Sequence, residues 1–242
     1  AIYSSFLQRG FDNIIHDVAI QGLPVVFCID RAGLVGEDGV THHGLYDMAY
    51  MRLIPGLCVA SPMDIPSLKG LLYAANKLTS PISIRYPRGR ADGAPNAAPI
   101  EITLGKGRKI VENSEANIAI LSIGPVGNET IEVAHQLQKD GIAVDCFDMI
   151  WVKPLDMDIL KHVAEKYDAV ITVEDGTVNG GFGSAVAETL SKIGYNKKLL
   201  RLGVPDEWIY HAKVSELREK CEIDCEGIKK NVLKIISKES KK

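Results

Sequence analysis

The sequence predicts an α/β protein of two three-layer α/β units, each with a mostly parallel sheet covered by helices. Short apolar runs such as VVFCI and NIAILSI have the composition of buried strands. Between these runs the apolar residues recur with a helical period, as in βαβ units. One stretch rich in Ala, Gly and Pro, residues 90–99, interrupts the alternation in this chain of 242 residues and indicates a boundary between the units.

The first unit begins with an amphipathic helix whose apolar residues share one face and which Gly22 ends. The next run, LPVVFCID, is almost continuously apolar, as expected of a buried strand. In chain order, the expected elements are a helix at 5–21, strands at 23–30 and 57–62, a helix at 65–78 and a strand at 82–87.

The second unit repeats this alternation after a linker. We place the units at residues 1–92 and 105–242 and the linker at 93–104. The expected strands are at 117–124, 143–152, 169–175 and 198–204, and the expected helices lie near 128–139, 156–167, 182–193 and 225–237.

Composition excludes several classes of function. The net charge of −3 lacks the excess of Lys and Arg that a nucleic-acid partner requires. No apolar stretch is long enough to span a bilayer, so we expect no membrane partner. The five cysteines are odd in number and lie mostly in apolar runs, which favours free thiols in the cytoplasm or in a reducing organelle such as a plastid. Cys221 and Cys225 form the one close pair, with no His nearby in sequence, and we assign them no metal site.

Candidate functional residues follow the strand ends of the first unit, because ligands bind beyond the carboxyl ends of strands in open parallel sheets. The strand at 23–30 is followed by a polar loop of about fifteen residues, DRAGLVGEDGVTHHG, and so long a loop is usually functional. Arg31 and Arg88 stand just past two strand ends, where a guanidinium can hold a phosphate. Each could instead form a surface ion pair, but two together favour an anion site. Arg85 is a weaker candidate because it lies inside its strand.

The histidines and aromatic residues near this loop have more than one possible role. His42 and His43 could transfer protons near neutral pH, or could only hydrogen-bond the loop to itself. Asp38 could line a site or could only cap its Asp-Gly turn. Tyr3 and Phe6 would be core or helix-entry residues by default, whereas an exposed ring could stack on a flat heterocycle.

The segment GGFGSA at 180–185 invites comparison with a dinucleotide-binding turn, since it follows a strand and opens a helix. It does not reproduce the three-glycine spacing, and no acidic residue ends a following strand at the expected distance. A tight strand-to-helix turn accounts for the glycines, so we reject a nicotinamide site here.

Three motifs resemble, in order and spacing, the 1-deoxy-D-xylulose-5-phosphate synthase family of transketolase-like enzymes: SSFLQRGFDNIIHDVA, LPVVFCIDRAGLVGEDGVTHHG and RYPRG. The resemblance continues through PDEWIYHA to the end of the second unit. It implies a transketolase-type pyrimidine-binding domain followed by a transketolase carboxyl-terminal domain. The family decarboxylates pyruvate with thiamine diphosphate and Mg²⁺ and joins the remaining two carbons to D-glyceraldehyde 3-phosphate, for isoprenoid, thiamine and pyridoxal phosphate synthesis. Its members are homodimers.

The resemblance implies roles for substrate-binding residues. Arg31 and Arg88 would hold the phosphate of the aldehyde substrate. His42 matches the family's loop histidine near the reacting carbonyl, and Asp38 and Tyr3 would line the same pocket.

The cofactor site is implied only in part. Phe6 would stack on the aminopyrimidine ring, and Arg9, one helix turn on, would support the loop, while His43 receives no role. The family's Glu that acts on the aminopyrimidine, and the amino-terminal domain whose Asp and Asn hold Mg²⁺ and the diphosphate, are not in this sequence, and no metal ligand is assigned. The first residues, AIYSSF, contain no Met and no targeting pattern. We therefore expect a fragment of a longer enzyme that is inactive alone.

Two other interpretations stay open. The chain could be the β subunit of the decarboxylating component of a 2-oxo acid dehydrogenase, which shares this layout; the DRAG loop and the two arginines disfavour it, because those substrates carry no phosphate. It could also be a non-catalytic transketolase-like module, which the intact set of site residues disfavours.

Overall fold

The strands form two five-stranded sheets in the computed structural model, which describes residues 1–89 and 93–237. In chain order the strands are β1 (Ile2–Tyr3), β2 (Val26–Asp30), β3 (Cys58–Ala60), β4 (Ile82–Arg85), β5 (Arg108–Val111), β6 (Ile118–Ser122), β7 (Val144–Asp148), β8 (Trp151–Lys153), β9 (Ala169–Thr177) and β10 (Lys198–Val204). The first sheet has the strand order β1-β2-β4-β3-β8 and the second the order β10-β9-β6-β7-β5. The predicted α/β fold with two mostly parallel sheets is confirmed.

Helices connect the strands, and every helix expected from the apolar periodicity is present. The α-helices in the described part of the chain are α1 (Ser4–Leu7), α2 (Phe11–Asn13), α3 (Asp47–Met51), α4 (Ile65–Ala75), α5 (Gly127–Lys139), α6 (Met157–Lys166), α7 (Phe182–Lys192), α8 (Val214–Lys220) and α9 (Cys225–Ser237). The expected helix at 5–21 is helical throughout 4–19, but its hydrogen bonding changes: a 3₁₀ turn (Gln8–Gly10) separates α1 from α2, and a π-helical stretch (Ile14–Ala19) completes it. No helix in the described part of the chain is long and apolar enough to cross a membrane.

Local sequence explains where several helices begin. Asp64 precedes α4 and accepts a hydrogen bond from the backbone N–H of Ser67 at 2.8 Å, while the Ser67 hydroxyl accepts one from the N–H of Asp64 at 3.0 Å. This reciprocal capping satisfies two N–H groups that the first helical turn would leave unpaired. Asp156 caps α6 in a similar way, accepting from the N–H of Asp158 at 2.9 Å.

In the first sheet β1, β2, β4 and β3 are parallel, so their carboxyl ends share one edge. The strands β3 and β4 are buried along their whole length, which agrees with their nearly continuous apolar sequence. The long loop after β2 and the segment after β4 therefore start side by side.

The expected strand at 143–152 is wrong as a single element. Residues Val144–Asp148 form β7 of the second sheet, whereas Trp151–Lys153 form β8, which pairs antiparallel with β3 of the first sheet. The chain turns between them at Ile150, whose φ of 58° is left-handed. A continuous apolar run cannot reveal this change of sheet, since both halves are buried.

The second sheet is parallel except at one edge, where β5 pairs antiparallel with β7. The strand β5 and the short helices α3 and α8 were not predicted, because each is too short to show a period.

One apolar cluster includes buried side chains of both units, such as Ile29 and Met51 of the first and Leu121 and Phe182 of the second. The two units therefore share part of their core.

The predicted linker contains no helix or strand in its described residues. Residues 90–92, at the start of the Ala-, Gly- and Pro-rich stretch, lie outside the described residues, as do 238–242 at the end of the chain. Lys69 of α4 donates to the carbonyls of Pro95 and Ala97 at 2.7 and 2.9 Å, and the N–H of Ile100 donates to the Pro66 carbonyl at 3.2 Å. These bonds hold the linker against α4.

Candidate active site

The polar loop at 30–44 starts at the carboxyl end of β2, and its two ends lie side by side. There Gly33 and Gly44 exchange two backbone hydrogen bonds, of 2.7 and 2.8 Å, and we refer to this pair of residues as the neck of the loop. Arg31, just before the neck, has a left-handed φ of 53°, and its N–H donates to Oδ1 of Asp30 at 2.7 Å. A non-glycine residue in this conformation costs about 1–3 kcal/mol, and such residues are enriched at functional sites.

The guanidinium groups of Arg31 and Arg88 converge. The Nη1 atom of each arginine lies 2.9 Å from the same atom, Oδ2 of Asp38. Nη2 of Arg88 also lies 3.3 Å from Oε2 of Glu37. Asp38 does not cap its turn, because its carboxylate is directed to the two arginines and makes no capping hydrogen bond. Both arginines are partly exposed. The structure thus brings two guanidinium groups to one carboxylate oxygen of the protein, an arrangement with which two arginines can also bind an oxygen of an anionic ligand.

Aromatic rings extend this site. The rings of Tyr3 and Phe6 stack with centroids 5.4 Å apart, and the Cζ of Arg31 lies 4.1 Å from the centroid of the Tyr3 ring. Phe6 also meets the edge of the His42 ring at 5.6 Å. Phe6 is 44% exposed, which leaves it able to stack on a flat ring. Six predicted residues are therefore linked by direct contacts: Tyr3, Phe6, Arg31, Asp38, His42 and Arg88.

The two adjacent histidines have different environments. His42 is half-buried, and its Nδ1 lies 2.9 Å from the Thr41 hydroxyl. Its Nε2 has no hydrogen-bond partner among the described residues. His43 is buried: its Nδ1 accepts from the Val35 N–H at 2.9 Å and its Nε2 donates to the Ile209 carbonyl at 3.0 Å. Burial lowers the pKa of His43, which favours the neutral ring that these two bonds require. His43 is thus a structural residue.

A segment of the second unit, residues 205–213, covers the loop; we refer to it as the strap. The N–H of Ala212 donates to the Gly36 carbonyl at 3.2 Å, and a β-carbon at Gly36 would lie 2.3 Å from the Ala212 carbonyl. A β-carbon at Gly39, whose φ is 68°, would lie 2.8 Å from the Cβ of His211. The glycines of the loop therefore permit close packing of loop and strap. Next to them, a groove of about 590 Å³ is lined by residues 34–37, 88–89 and 211–214.

Arg85, the weaker sequence candidate, is buried and faces the boundary between the units. Its Nε donates to Asp47 at 2.9 Å, its Nη1 to Asp175 at 2.5 Å and its Nη2 to the Gly44 carbonyl at 3.2 Å. Burial alone would lower the pKa of Arg85, but Asp175 and Asp47 raise it above its ordinary value. Sequence reasoning missed Asp47 and Asp175, and no local pattern identifies them, since their partner is distant in the chain.

Arg9 is exposed, and its side chain forms no hydrogen bond or ion pair with the described residues. Its predicted role in supporting the loop stays a prediction.

The five cysteines are free, with Cys58, Cys146 and Cys221 buried. Within the described ranges there is no group of three or more His, Cys, Asp or Glu residues that could hold a metal ion.

The glycine-rich turn at 180–185 surrounds a protein carboxylate. Glu174 is fully buried and accepts hydrogen bonds from the N–H groups of Phe182 and Gly183, both at 2.8 Å, at the start of α7. A β-carbon at Gly181 would lie 2.1 Å from Oε2 of Glu174. The helix N-terminus is thus occupied by Glu174, which accounts for the glycines without a nicotinamide site.

Two family models match the chain. Residues 1–92 match the transketolase pyrimidine binding domain, and residues 105–228 match the transketolase C-terminal domain.

Curated relatives include 1-deoxy-D-xylulose-5-phosphate synthases. That of Bacteroides fragilis is 48% identical over 236 residues, which is 96% of this chain and 36% of the relative. That of Aquifex aeolicus is 45% identical over 232 residues, again 96% of this chain, and 37% of the relative. The chain therefore spans little more than a third of the length of these relatives.

Similar solved structures are transketolases. A structure described as "Split gene transketolase, inactive beta4 tetramer" superposes with a TM-score of 0.87 at 28% identity, covering 98% of this chain and 75% of that one. A transketolase mutant from Pichia stipitis gives a TM-score of 0.80 at 17% identity, covering 99% of this chain and 34% of that one, which shows the fold alone.

Proposed function

The chain belongs to the transketolase family of thiamine-diphosphate-dependent enzymes, and we propose that it is part of a 1-deoxy-D-xylulose-5-phosphate synthase. In this proposal the complete enzyme takes pyruvate and D-glyceraldehyde 3-phosphate as substrates and acts as a homodimer. The observation that carries the proposal is the convergence of Arg31 and Arg88 on one oxygen atom, because a phosphorylated aldehyde needs such a site.

Arg31 and Arg88 bind the substrate phosphate in this proposal. A phosphate oxygen at the position between them must displace Oδ2 of Asp38, since two anionic oxygens cannot share that position. The released Asp38 carboxylate would then stay within reach of the substrate's hydroxyl group. Tyr3, whose ring lies against Arg31, restricts the direction of that guanidinium.

Phe6 and His42 belong to the cofactor side of the site. The exposed ring of Phe6 fits a flat aminopyrimidine, which supports thiamine diphosphate as the bound group. When bound, thiamine diphosphate supplies an electron sink for cleaving and forming bonds next to a carbonyl. In this proposal His42, whose ring contacts Phe6, donates a proton from Nε2 to a substrate oxygen; the pairing of Nδ1 with Thr41, which leaves Nε2 for the substrate, supports this role. The diphosphate and Mg²⁺ would be held by residues outside this chain.

The test is substitution of each arginine in the complete enzyme. Arg31→Ala and Arg88→Ala should each raise the KM for D-glyceraldehyde 3-phosphate by about 10- to 150-fold, because loss of one charge-assisted contact costs about 1.5–3 kcal/mol. The KM for pyruvate should change little. Arg52→Ala is the matched control, because Arg52 pairs with Glu188 and makes no hydrogen bond to the loop among the described residues. An unchanged KM for the aldehyde in both Arg31→Ala and Arg88→Ala would refute the phosphate role.

The alternative, which one observation favours, is that this chain is the β subunit of an enzyme whose α subunit is a separate polypeptide. The split-gene transketolase shows that a chain with this two-domain layout can be a separate polypeptide. Co-purification of the chain with a second subunit of different sequence would support that alternative. We propose that the chain alone has no synthase activity, and measurable product from it would overturn this part of the proposal.

A further inference from the structure

The buried guanidinium of Arg85 is used by none of the roles above. It links Asp47, the first residue of α3, to Asp175 on β9 of the second unit. All three side chains are almost completely inaccessible to solvent. Its third hydrogen bond goes to the Gly44 carbonyl at the neck of the loop.

Asp175 also contacts the other side of the neck directly. A β-carbon at Gly33 would lie 2.4 Å from Oδ2 of Asp175, so the glycine backbone packs against that carboxylate oxygen. Gly33 and Gly44 are hydrogen-bonded to each other, so the neck packs against both members of the Arg85–Asp175 pair. Arg31 lies two residues before Gly33, and His42 lies two residues before Gly44. A displacement of the neck would therefore move both functional side chains.

Stability alone is a poor explanation for this buried network. Burial raises the pKa of Asp47, so desolvation opposes its ionised form. Buried ion networks often stabilise a protein no better than apolar side chains of similar volume would. They do fix geometry, because each guanidinium hydrogen bond has a defined direction.

We propose that Asp175 is a positioning residue for the anion site: through Arg85 and Gly33 the second unit holds the neck of the loop, so that Arg31 and His42 face the same ligand as Arg88. The identity of that ligand rests on the proposed function, whereas the role of Asp175 rests on the geometry of the neck.

The first experiment measures binding of inorganic phosphate to the chain itself. The guanidinium signals of Arg31 and Arg88 are followed by NMR during a phosphate titration, and the Tm of each protein is recorded. Asp175→Asn keeps the shape of the side chain and removes its charge, and it should raise the Kd for phosphate at least about fivefold. Arg85→Lys should have a similar effect, because one ammonium group cannot replace three directed guanidinium bonds.

Asp47→Asn is the matched control. It also leaves Arg85 with one carboxylate, but Asp47 does not touch Gly33, so the Kd should stay within about twofold of the unaltered chain despite a comparable loss of Tm. Equal rises in Kd for both asparagine variants would mean a merely structural role and would overturn the inference. An unchanged Kd in Asp175→Asn and Arg85→Lys, or loss of the fold in both, would also overturn it.

The unaltered chain separates this inference from the proposed function. If it shows no saturable phosphate binding, the proposed anion site fails and the inference falls with it. If it binds phosphate and Asp175→Asn binds equally well, only the inference fails. In the complete enzyme, Asp175→Asn should raise the KM for the phosphorylated aldehyde and leave the KM for pyruvate within about twofold, a selectivity that general destabilisation would not produce.

Discussion

The buried carboxyl group of Glu174 predicts an unusual dependence of stability on pH. Burial raises its pKa from the ordinary 4.5 to about 7, although the N–H groups of Gly183 and Phe182 favour the charged form. A raised pKa means that the folded state binds the proton more tightly than the unfolded state does. The stabilisation from this group is therefore complete below pH 4.5 and is lost as the pH rises through about 7. At about 1.4 kcal/mol for each unit of pKa, the loss is about 3 kcal/mol.

Glu174→Gln isolates this contribution. Glutamine stays neutral at every pH, but it offers one acceptor oxygen where Glu174 offers two, so one of the two N–H groups at the start of α7 loses its partner. That loss costs about 1–3 kcal/mol at every pH. Near about pH 5 the variant should be about 1–3 kcal/mol less stable than the unaltered chain. Because the unaltered chain loses about 3 kcal/mol of stability towards about pH 8.5, the variant should there be as stable as the unaltered chain or more stable.

Urea unfolding of both proteins across this pH range measures the effect. Burial also raises the pKa of Asp148, to about 6, but Asp148 contributes equally to both proteins and cancels in the difference. Glu165→Gln changes an exposed glutamate and should reproduce the pH profile of the unaltered chain. A stability difference between Glu174→Gln and the unaltered chain that stays constant with pH would refute the raised pKa.

Three further changes test the packing around the site and in the second unit. His43→Leu leaves a buried N–H and a buried carbonyl without partners and should reduce the free energy of unfolding by about 2–4 kcal/mol in urea titrations, whereas His43→Gln, which keeps a donor and an acceptor, should lose less than half of that. Gly39→Ala should lower Tm more than Gly22→Ala; both glycines have positive φ, but only at Gly39 would the new methyl group meet the strap, so equal losses would contradict the close packing. Tyr167→Phe removes a hydroxyl donor from buried Asp145 and should cost about 1–2 kcal/mol in the same unfolding assay; no loss would mean that the remaining partners of Asp145 suffice.

Most of the fold could be predicted because its elements are long enough to show a period or a continuous apolar run. Strands such as β2 and β6, and helices such as α5 and α9, follow from local sequence. The exchange of β8 into the first sheet could not be predicted in this way. Trp151 and Phe147 both lie in one buried apolar stretch, and only long-range pairing decides which sheet each joins.

The candidate site was predictable to the extent that strand ends define it. The parallel first sheet brings the residues after β2 and β4 together, so the proximity of Arg31 and Arg88 follows from topology. The difference between His42 and His43 does not, because the buried partner of His43 is Ile209, 166 positions away. Arg85 was underestimated for the same reason: its environment is set by Asp175 on the other sheet.

The pairing of Trp151–Lys153 with β3 means that the two sequence modules are not separable pieces. A gene divided within 93–104 would leave β3 with an open edge, prone to aggregation, and would remove from the first half the fully buried indole of Trp151. Exchange of a single module between transketolase relatives would have to carry this short strand with it. Evolution of such proteins by recombination should therefore disfavour breakpoints in the linker.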